Sequence, residues 1–114
     1  MRRLIVAPRA RRDIDATLTQ STTLHGRHAA RRYRSLIALA IEAVHEQPDR
    51  PSAHPAEVDD LRLYALRVAA RQLGPHDLVR SPSHIVVFRF DDQRVEIVRL
   101  LHEAMDLPSH LGPG

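Results

Sequence analysis

The sequence contains no cysteine and no lysine, and each absence excludes a class of chemistry. Without cysteine there is no disulfide scaffold, thiolate metal site or cysteine nucleophile, and without lysine there is no Schiff base or lysine general base. The four glycines never form a G-x-G-x-x-G or G-x-x-x-x-G-K motif, which excludes P-loop and Rossmann phosphate-binding loops. No apolar run approaches the roughly 18 residues of a membrane-spanning helix. We therefore expect a small, soluble, cytoplasmic domain that does not contact a membrane.

The chain of 114 residues is long enough for one domain with one core. We expect this domain to span residues 1–111 and residues 112–114 to form a loose tail. Charge is distributed unevenly: residues 1–34 hold nine arginines against two acids, whereas residues 35–114 hold eight arginines against twelve acids. A basic half is typical of proteins that contact nucleic acid or an acidic protein segment. A solvated helix face without any partner explains the same charge.

The hydrophobic pattern predicts an α+β fold, a helical hairpin packed on a small antiparallel sheet in the order β-α-α-β-β-β. The predicted strands cover residues 2–7, 61–68, 84–90 and 95–101, and the predicted helices cover residues 8–22 and 28–47. Fraying is expected near the end of the first helix, where residues 19–23 are polar and partly β-branched. Three prolines within residues 48–55 predict an irregular connection there.

The last hairpin has two possible registers. A two-residue loop places Arg89 opposite Arg94, whereas a four-residue loop over residues 91–94 places Arg89 opposite Glu96. Opposite charges across strands stabilise the pair and like charges destabilise it, so we expect the four-residue loop.

The same hairpin predicts two faces of different character. Strict alternation turns one face towards the helices, and that face carries Val86, Phe88, Phe90, Val95, Ile97, Arg99 and Leu101. The other face carries Ile85, Val87, Arg89, Glu96, Val98, Leu100 and His102. This second face is too apolar for bare solvent, so we expect a partner to cover it.

Four motifs resemble the ParE branch of the RelE/ParE superfamily of toxins from type II toxin–antitoxin systems. Ala10-x-x-Asp13-Ile14 is similar to the family's A-x-x-D-L on its first helix, and P-D-R-P at residues 48–51 resembles N-P-x-x-G-R-P. Residues 83–90, S-H-I-V-V-F-R-F, resemble the strand R/S-H-x-V-x-Y-R-V. Residues 95–107, V-E-I-V-R-L-L-H-E-A-M-D-L, follow the ending V-E-I-L-R-V-L-H-x-x-R/M-D-L almost position for position. The first helix departs from the family because it lacks the usual I-W/Y-x-Y aromatics.

The resemblance implies a toxin that arrests growth and that a cognate, ParD-like antitoxin holds inactive by folding its C-terminal segment onto it. ParE-like members poison DNA gyrase without being nucleases, whereas RelE-like members cut mRNA in the ribosomal A site with basic and aromatic side chains. This chain has no lysine and no tyrosine after Tyr64. We therefore expect a gyrase inhibitor and assign no catalytic residue. The alternatives are a RelE-like ribosome-dependent mRNA endonuclease and a non-toxic member that acts only as a co-repressor with its antitoxin.

Three residues near the C-terminal end are candidates for the toxic surface, namely Arg89, Arg99 and His102. In a nuclease, His102 would act as an acid and the two arginines would bind the phosphate. A charge on an otherwise apolar face needs a partner, so Arg99 is equally a buried partner of Asp13 or Asp106.

The candidate antitoxin-binding residues combine arginines of the second helix with apolar residues of the mixed sheet face. They are Arg27, Arg31, Arg32, Arg34, Ile85, Val87, Val98 and Leu100. We expect the antitoxin tail to be acidic and amphipathic, and DNA to be contacted only through the antitoxin. No cofactor or metal is expected, because His25-x-x-His28, the one close histidine pair, spans a predicted turn and has no matching carboxylate.

Overall fold

The computed structural model describes residues 1–105 and 107–111. Its elements are β1 (Arg3–Val6), α1 (Pro8–His25), α2 (Arg27–Glu46), β2 (His54–Pro55), β3 (Arg62–Ala65), α3 (Leu66–Ala69), two 3₁₀ turns (Ala70–Gln72 and Pro75–Asp77), β4 (His84–Phe90), β5 (Arg94–His102) and α4 (Leu107–Leu111). The predicted α+β class, with a helical hairpin against a sheet, is confirmed. The expected loose tail, residues 112–114, lies outside the described residues. No helix in the described part of the chain has the length and apolarity to cross a membrane.

The five strands form one sheet in the order β1-β5-β4-β3-β2. Neighbouring strands from β5 to β2 run antiparallel, whereas β1 runs parallel to β5 with Leu4 opposite Val95. The sheet is therefore mixed rather than purely antiparallel. The reason is that β1 joins the edge beside the last strand, and parallel neighbours need a long connection, which the rest of the chain provides.

Gly26 separates the two helices of the hairpin. Its backbone has φ 89° and ψ 170°, a combination that is essentially restricted to glycine. Its N–H donates to the carbonyl of Thr22 at 2.9 Å and ends α1. The fraying predicted before this point does not occur: α1 continues to His25, and the hydroxyls of Thr22 and Thr23 donate to the carbonyls of Leu18 and Thr19 within the helix.

Two short segments differ from their prediction. The strand predicted over residues 61–68 ends at Ala65, and Leu66 begins α3 with its side chain fully buried in the main core. A run of four residues is too short for its apolar spacing to distinguish a strand from a helical turn. The proline-rich connection was predicted to be irregular, yet it ends in the two-residue strand β2, which pairs with β3.

The main core lies between the helical hairpin and one face of the sheet. Helix α2 contributes Leu36, Ala40 and Val44, which recur at helical spacing and are completely buried. The sheet contributes Tyr64, Val86, Phe88, Val95, Ile97 and Leu100. Full burial of one such large apolar side chain contributes about 1.5–3 kcal/mol, so this interface holds the hairpin in place.

The predicted register is confirmed, since Arg89 lies opposite Glu96. Further along β5 a bulge interrupts the register. Phe88 pairs with Ile97 but its neighbour Val87 pairs with Arg99, so that Val98 is an extra residue in β5. Such a bulge shifts the alternation of side chains along the strand.

The bulge exchanges the faces of two leucines that follow it. Leu100, expected on the mixed face, packs in the main core, and Leu101, expected under the helices, lies in a second cluster on the other face. That cluster also contains Leu61, Val87 and Leu111, the last of which comes from α4. The chain therefore covers part of the face that was predicted to lack a partner.

Candidate functional site

Arg99 lies in a largely buried ion pair with Asp13 of α1. Its Nε donates to Asp13 Oδ2 at 2.7 Å and its Nη2 donates to Oδ1 at 3.1 Å. The Leu100 N–H donates to the same Oδ2 at 3.0 Å, and the two charged side chains are only 12% and 18% exposed. The prediction of Asp13 as the partner is confirmed, and the other candidate, Asp106, lies outside the described residues. Arg99 thus ties β5 to α1 and offers little surface to a target.

Arg89 lies in a different environment. Its side chain is 45% exposed, and its Nε is 3.1 Å from Glu96 Oε1 while its Nη1 is 3.7 Å from Asp60 Oδ1. Its neighbours Phe88 and Phe90 pack into the main core, so alternation places Arg89 on the opposite face of the sheet. The structure therefore does not bring Arg89 together with Arg99 into one phosphate-binding site.

His102 belongs to a cluster that the sequence did not reveal. It lies directly opposite His84 in the β4–β5 pair, and the two rings meet edge to face with centroids 5.3 Å apart. Tyr33 of α2 completes the cluster, with its Oη 2.6 Å from His84 Nδ1. Without the bulge, Leu101 would lie opposite His84. The pairing of His84 with His102 therefore depends on the bulge, which the sequence does not show.

Hydrogen bonds restrict the protonation of the cluster. His102 Nδ1 accepts the Ala104 N–H at 3.0 Å, so the proton of the neutral ring is on Nε2. Tyr33 Oη accepts the Ser83 N–H at 3.4 Å, and burial raises the pKa of its hydroxyl. Around neutral pH Tyr33 therefore keeps its proton.

His84 is the group of this cluster whose charge is most affected by its surroundings. Burial lowers its pKa below the ordinary 6.5, and the neighbouring His102 lowers it further. Glu103 and Asp13 act in the opposite direction but do not reverse the shift. Around neutral pH His84 is therefore uncharged, because desolvation disfavours the imidazolium form.

The cluster lines a groove of about 780 Å³ beside the helical hairpin and the segment before β4, which we call the histidine groove. Its lining includes two exposed apolar side chains, Leu24 at 63% and Leu78 at 59% exposure. Two arginines, Arg32 and Arg80, and a third histidine, His25, also line it. Among the described residues that line it, none carries a carboxylate. In the described part of the chain, no group of three histidine or acidic residues is placed to hold a metal ion.

The four candidate arginines of α2 do not share one surface. Arg27, Arg31 and Arg34 recur at helical spacing and line a recess of about 560 Å³ together with Asp15, which we call the arginine recess. Arg32 follows Arg31 in sequence but lines the histidine groove instead. Adjacent positions in a helix point about 100° apart, which explains the separation.

The apolar candidates for antitoxin binding are also separated. Val87 is completely buried within the second cluster, and the bulge turns Leu100 into the main core, where it is 4% exposed. The expectation that these two side chains form an open docking face is therefore wrong. Ile85 and Val98 are half-buried, so each still offers some surface.

Comparison with known proteins gives consistent matches. Residues 4–107 match the family described as ParE toxin of type II toxin-antitoxin system, parDE. The chain is 33% identical over 104 residues to Toxin ParE1 of Caulobacter vibrioides, a match that covers 91% of this chain and 92% of that protein. A chain of the chromosomal ParDE TA system from P. aeruginosa superposes with a TM-score of 0.68 at 20% identity, over 90% of this chain and 96% of that chain. A YafQ mutant from E. coli superposes with a TM-score of 0.51 at 14% identity, over 91% and 96% of the two chains.

Proposed function

Because the chain belongs to the ParE toxin family of type II toxin–antitoxin systems, we propose that it inhibits DNA gyrase in the cytoplasm and is neutralised by a cognate antitoxin. The observation that carries this proposal is the match of nearly the whole chain, residues 4–107, to the family. Toxins of this family pair with an antitoxin. That the target of this toxin is gyrase is what we propose beyond family membership.

The arrangement of the candidate residues supports a gyrase inhibitor over a nuclease. Cleavage of RNA needs an acid, a base and cations around a single phosphate. Arg99 is occupied by Asp13, and Arg89 faces the other side of the sheet. The phosphate-binding pair expected for the nuclease alternative is therefore not assembled around His102.

The test compares two assays on the same purified protein. We expect the toxin to trap cleaved gyrase–DNA complexes in a supercoiling reaction and to leave mRNA on translating ribosomes intact. Cleavage of A-site mRNA without an effect on gyrase would show the nuclease alternative instead. Inactivity in both assays, with repression of its own promoter only in the presence of the antitoxin, would show the co-repressor alternative.

One variant pair examines the toxic surface within this experiment. Arg89 is the exposed arginine among the toxic-surface candidates, so Arg89→Ala should reduce trapping of gyrase. Arg94→Ala is the matched control, because Arg94 is also an exposed arginine of β5, at 55%, and was not a candidate. Equal activity of the two variants would remove Arg89 from the toxic surface.

We further propose that the antitoxin neutralises the toxin with an acidic tail, and that it alone mediates contact with DNA. Arginine–carboxylate pairs across an interface speed the encounter of two proteins more than they deepen affinity. The double reversal Arg31→Glu/Arg32→Glu should therefore slow association with the antitoxin, and the effect should shrink at high salt. An unchanged association rate at low salt would show that these arginines form an ordinary solvated helix face.

A further inference from the structure

The histidine groove combines two features that the arginine recess lacks. Its outer leucines, Leu24 and Leu78, are mostly exposed, so a bound segment could bury them. In the recess, the apolar lining residues Leu18 and Ala30 are already buried, at 7% and 8% exposure, and Asp15 compensates part of the positive charge. A segment that carries both apolar and acidic side chains therefore fits the histidine groove better than the arginine recess.

The charge of the groove is not balanced from within. Arg32, Arg80 and three histidines line it, and within residues 1–105 and 107–111 no carboxylate does. An occupant complementary to this lining carries carboxylates on one side and apolar side chains on the other. That description fits the acidic, amphipathic antitoxin tail proposed above.

We infer that the antitoxin tail docks in the histidine groove and that its binding is coupled to uptake of a proton by the His84–His102 pair. This inference rests on the proposed neutralisation by an antitoxin and adds its location and its dependence on pH. It also separates the roles of two adjacent arginines, since Arg32 lies in the docking site and Arg31 lies outside it.

The surroundings of His84 explain why a proton binds together with the antitoxin tail. His84 interacts with Asp13 from α1, Tyr33 from α2, and His102 and Glu103 at the end of β5. Both of these carboxylates already have a cationic partner: Asp13 binds Arg99, and Glu103 Oε2 lies 3.0 Å from Arg67 Nη2.

The two histidines therefore have no carboxylate of their own in the described chain, while Arg32, Arg80 and His25 add positive charge to the groove lining. A carboxylate of the tail beside the two rings would favour an imidazolium. Since His84 is uncharged in the free protein around neutral pH, this stabilisation appears as a proton bound together with the tail.

The test uses the full chain and a synthetic fluorescent peptide of about 15 residues that forms an amphipathic helix, with leucine on one face and glutamate on the other. Binding is followed by anisotropy between about pH 5.5 and pH 8, a range in which the glutamates stay largely ionised. We expect affinity to rise as the pH falls, approaching a tenfold increase per pH unit if one proton is bound. A peptide with glutamine in place of glutamate should lose this dependence.

Matched variants locate the site and the proton. Arg32→Glu should weaken binding at least about tenfold, as expected for loss of a hydrogen bond to a charged group, whereas Arg31→Glu, the adjacent position on the same helix, should change it much less. His102→Gln and His84→Gln should each flatten the pH dependence. Circular dichroism confirms folding, and His102→Gln keeps the test valid if the loss of the Tyr33 contact unfolds the His84 variant.

Several outcomes would overturn the inference. They are absence of peptide binding, equal losses from the Arg31 and Arg32 variants, or a pH dependence that survives in both histidine variants. A concentration-dependent dimer that the peptide dissociates would show that a second copy of this chain occupies the groove. The gyrase assay does not use the peptide, so the toxin function and the groove can fail independently.

Discussion

Removal of Arg99 provides the sharpest test of the packing described above. Arg99→Ala deletes two of the three hydrogen bonds that Asp13 accepts and leaves only the Leu100 N–H. Breaking a buried ion pair by removing one partner costs about 3–5 kcal/mol, because the other charge stays desolvated. Asp13 is 18% exposed, so water solvates part of it and we expect the lower end, about 3 kcal/mol.

A loss of this size is large against the roughly 5–15 kcal/mol that holds a typical domain together. It corresponds to a fall in melting temperature of roughly 10–15 °C for a chain of this length. Urea unfolding followed by circular dichroism measures this loss of stability directly. If the variant remains two-state, its free energy of unfolding should fall with urea concentration at the same slope as in the wild type. Arg89→Ala is the matched control, because the exposed Arg89–Glu96 pair contributes at most about 1 kcal/mol.

The double variant Asp13→Leu/Arg99→Met separates the ion pair from simple packing. Replacing both charges by apolar side chains leaves no stranded carboxylate, so it should cost less than Arg99→Ala alone. A loss below about 1 kcal/mol for Arg99→Ala would refute the buried-pair reasoning. Unchanged melting together with lost toxicity would place Arg99 on the surface that contacts the target.

Three further predictions follow from single residues. Gly26→Ala should lower the free energy of unfolding by about 1–3 kcal/mol, measured in urea; a new Cβ meets no atom within 4 Å, so the backbone conformation alone imposes this cost. Phe88→Ala should cost about 3–5 kcal/mol, because Phe88 is fully buried in the main core, and a loss comparable to that of an exposed residue would contradict its placement. Burial lowers the pKa of His84 in the folded state below 6.5, its ordinary value in the unfolded state. Between the two pKa values the unfolded state binds more protons, so the free energy of unfolding should fall as the pH drops from 6.5 towards the folded-state pKa, and thermal melts of His84→Gln should depend less on pH in that range.

The sequence predicted those parts of the fold in which a pattern repeats over many residues. Helix α2 was found because its apolar residues recur over 20 residues, and the Arg89–Glu96 register followed from charge pairing across one turn. The α3 helix was missed because four residues, beginning at Leu66, carry too little periodicity to overrule a strand.

The candidate site was predicted only in part, and the bulge at Val98 is the main reason. Arg99 was correctly paired with Asp13, since a charge within an apolar pattern requires a buried partner. The faces of Leu100 and Leu101 were exchanged, because a bulge inserts one residue without leaving a sign in composition. The same insertion brings His102 opposite His84, so the histidine groove could be found only once the register was known.

The pairing of β1 with β5 makes folding depend on the order of synthesis. β1 and the helical hairpin leave the ribosome before β5, the strand that pairs with β1 and that carries Arg99, 86 residues after its partner Asp13. Before β5 emerges the hairpin can pack only on β3 and β4, and closing so long a loop carries an entropic cost that only the contacts of β5 repay. A nascent chain that stops before β5 therefore lacks both the strand that joins β1 to β4 and the ion pair, and β1 enters the sheet only after β5 has left the ribosome.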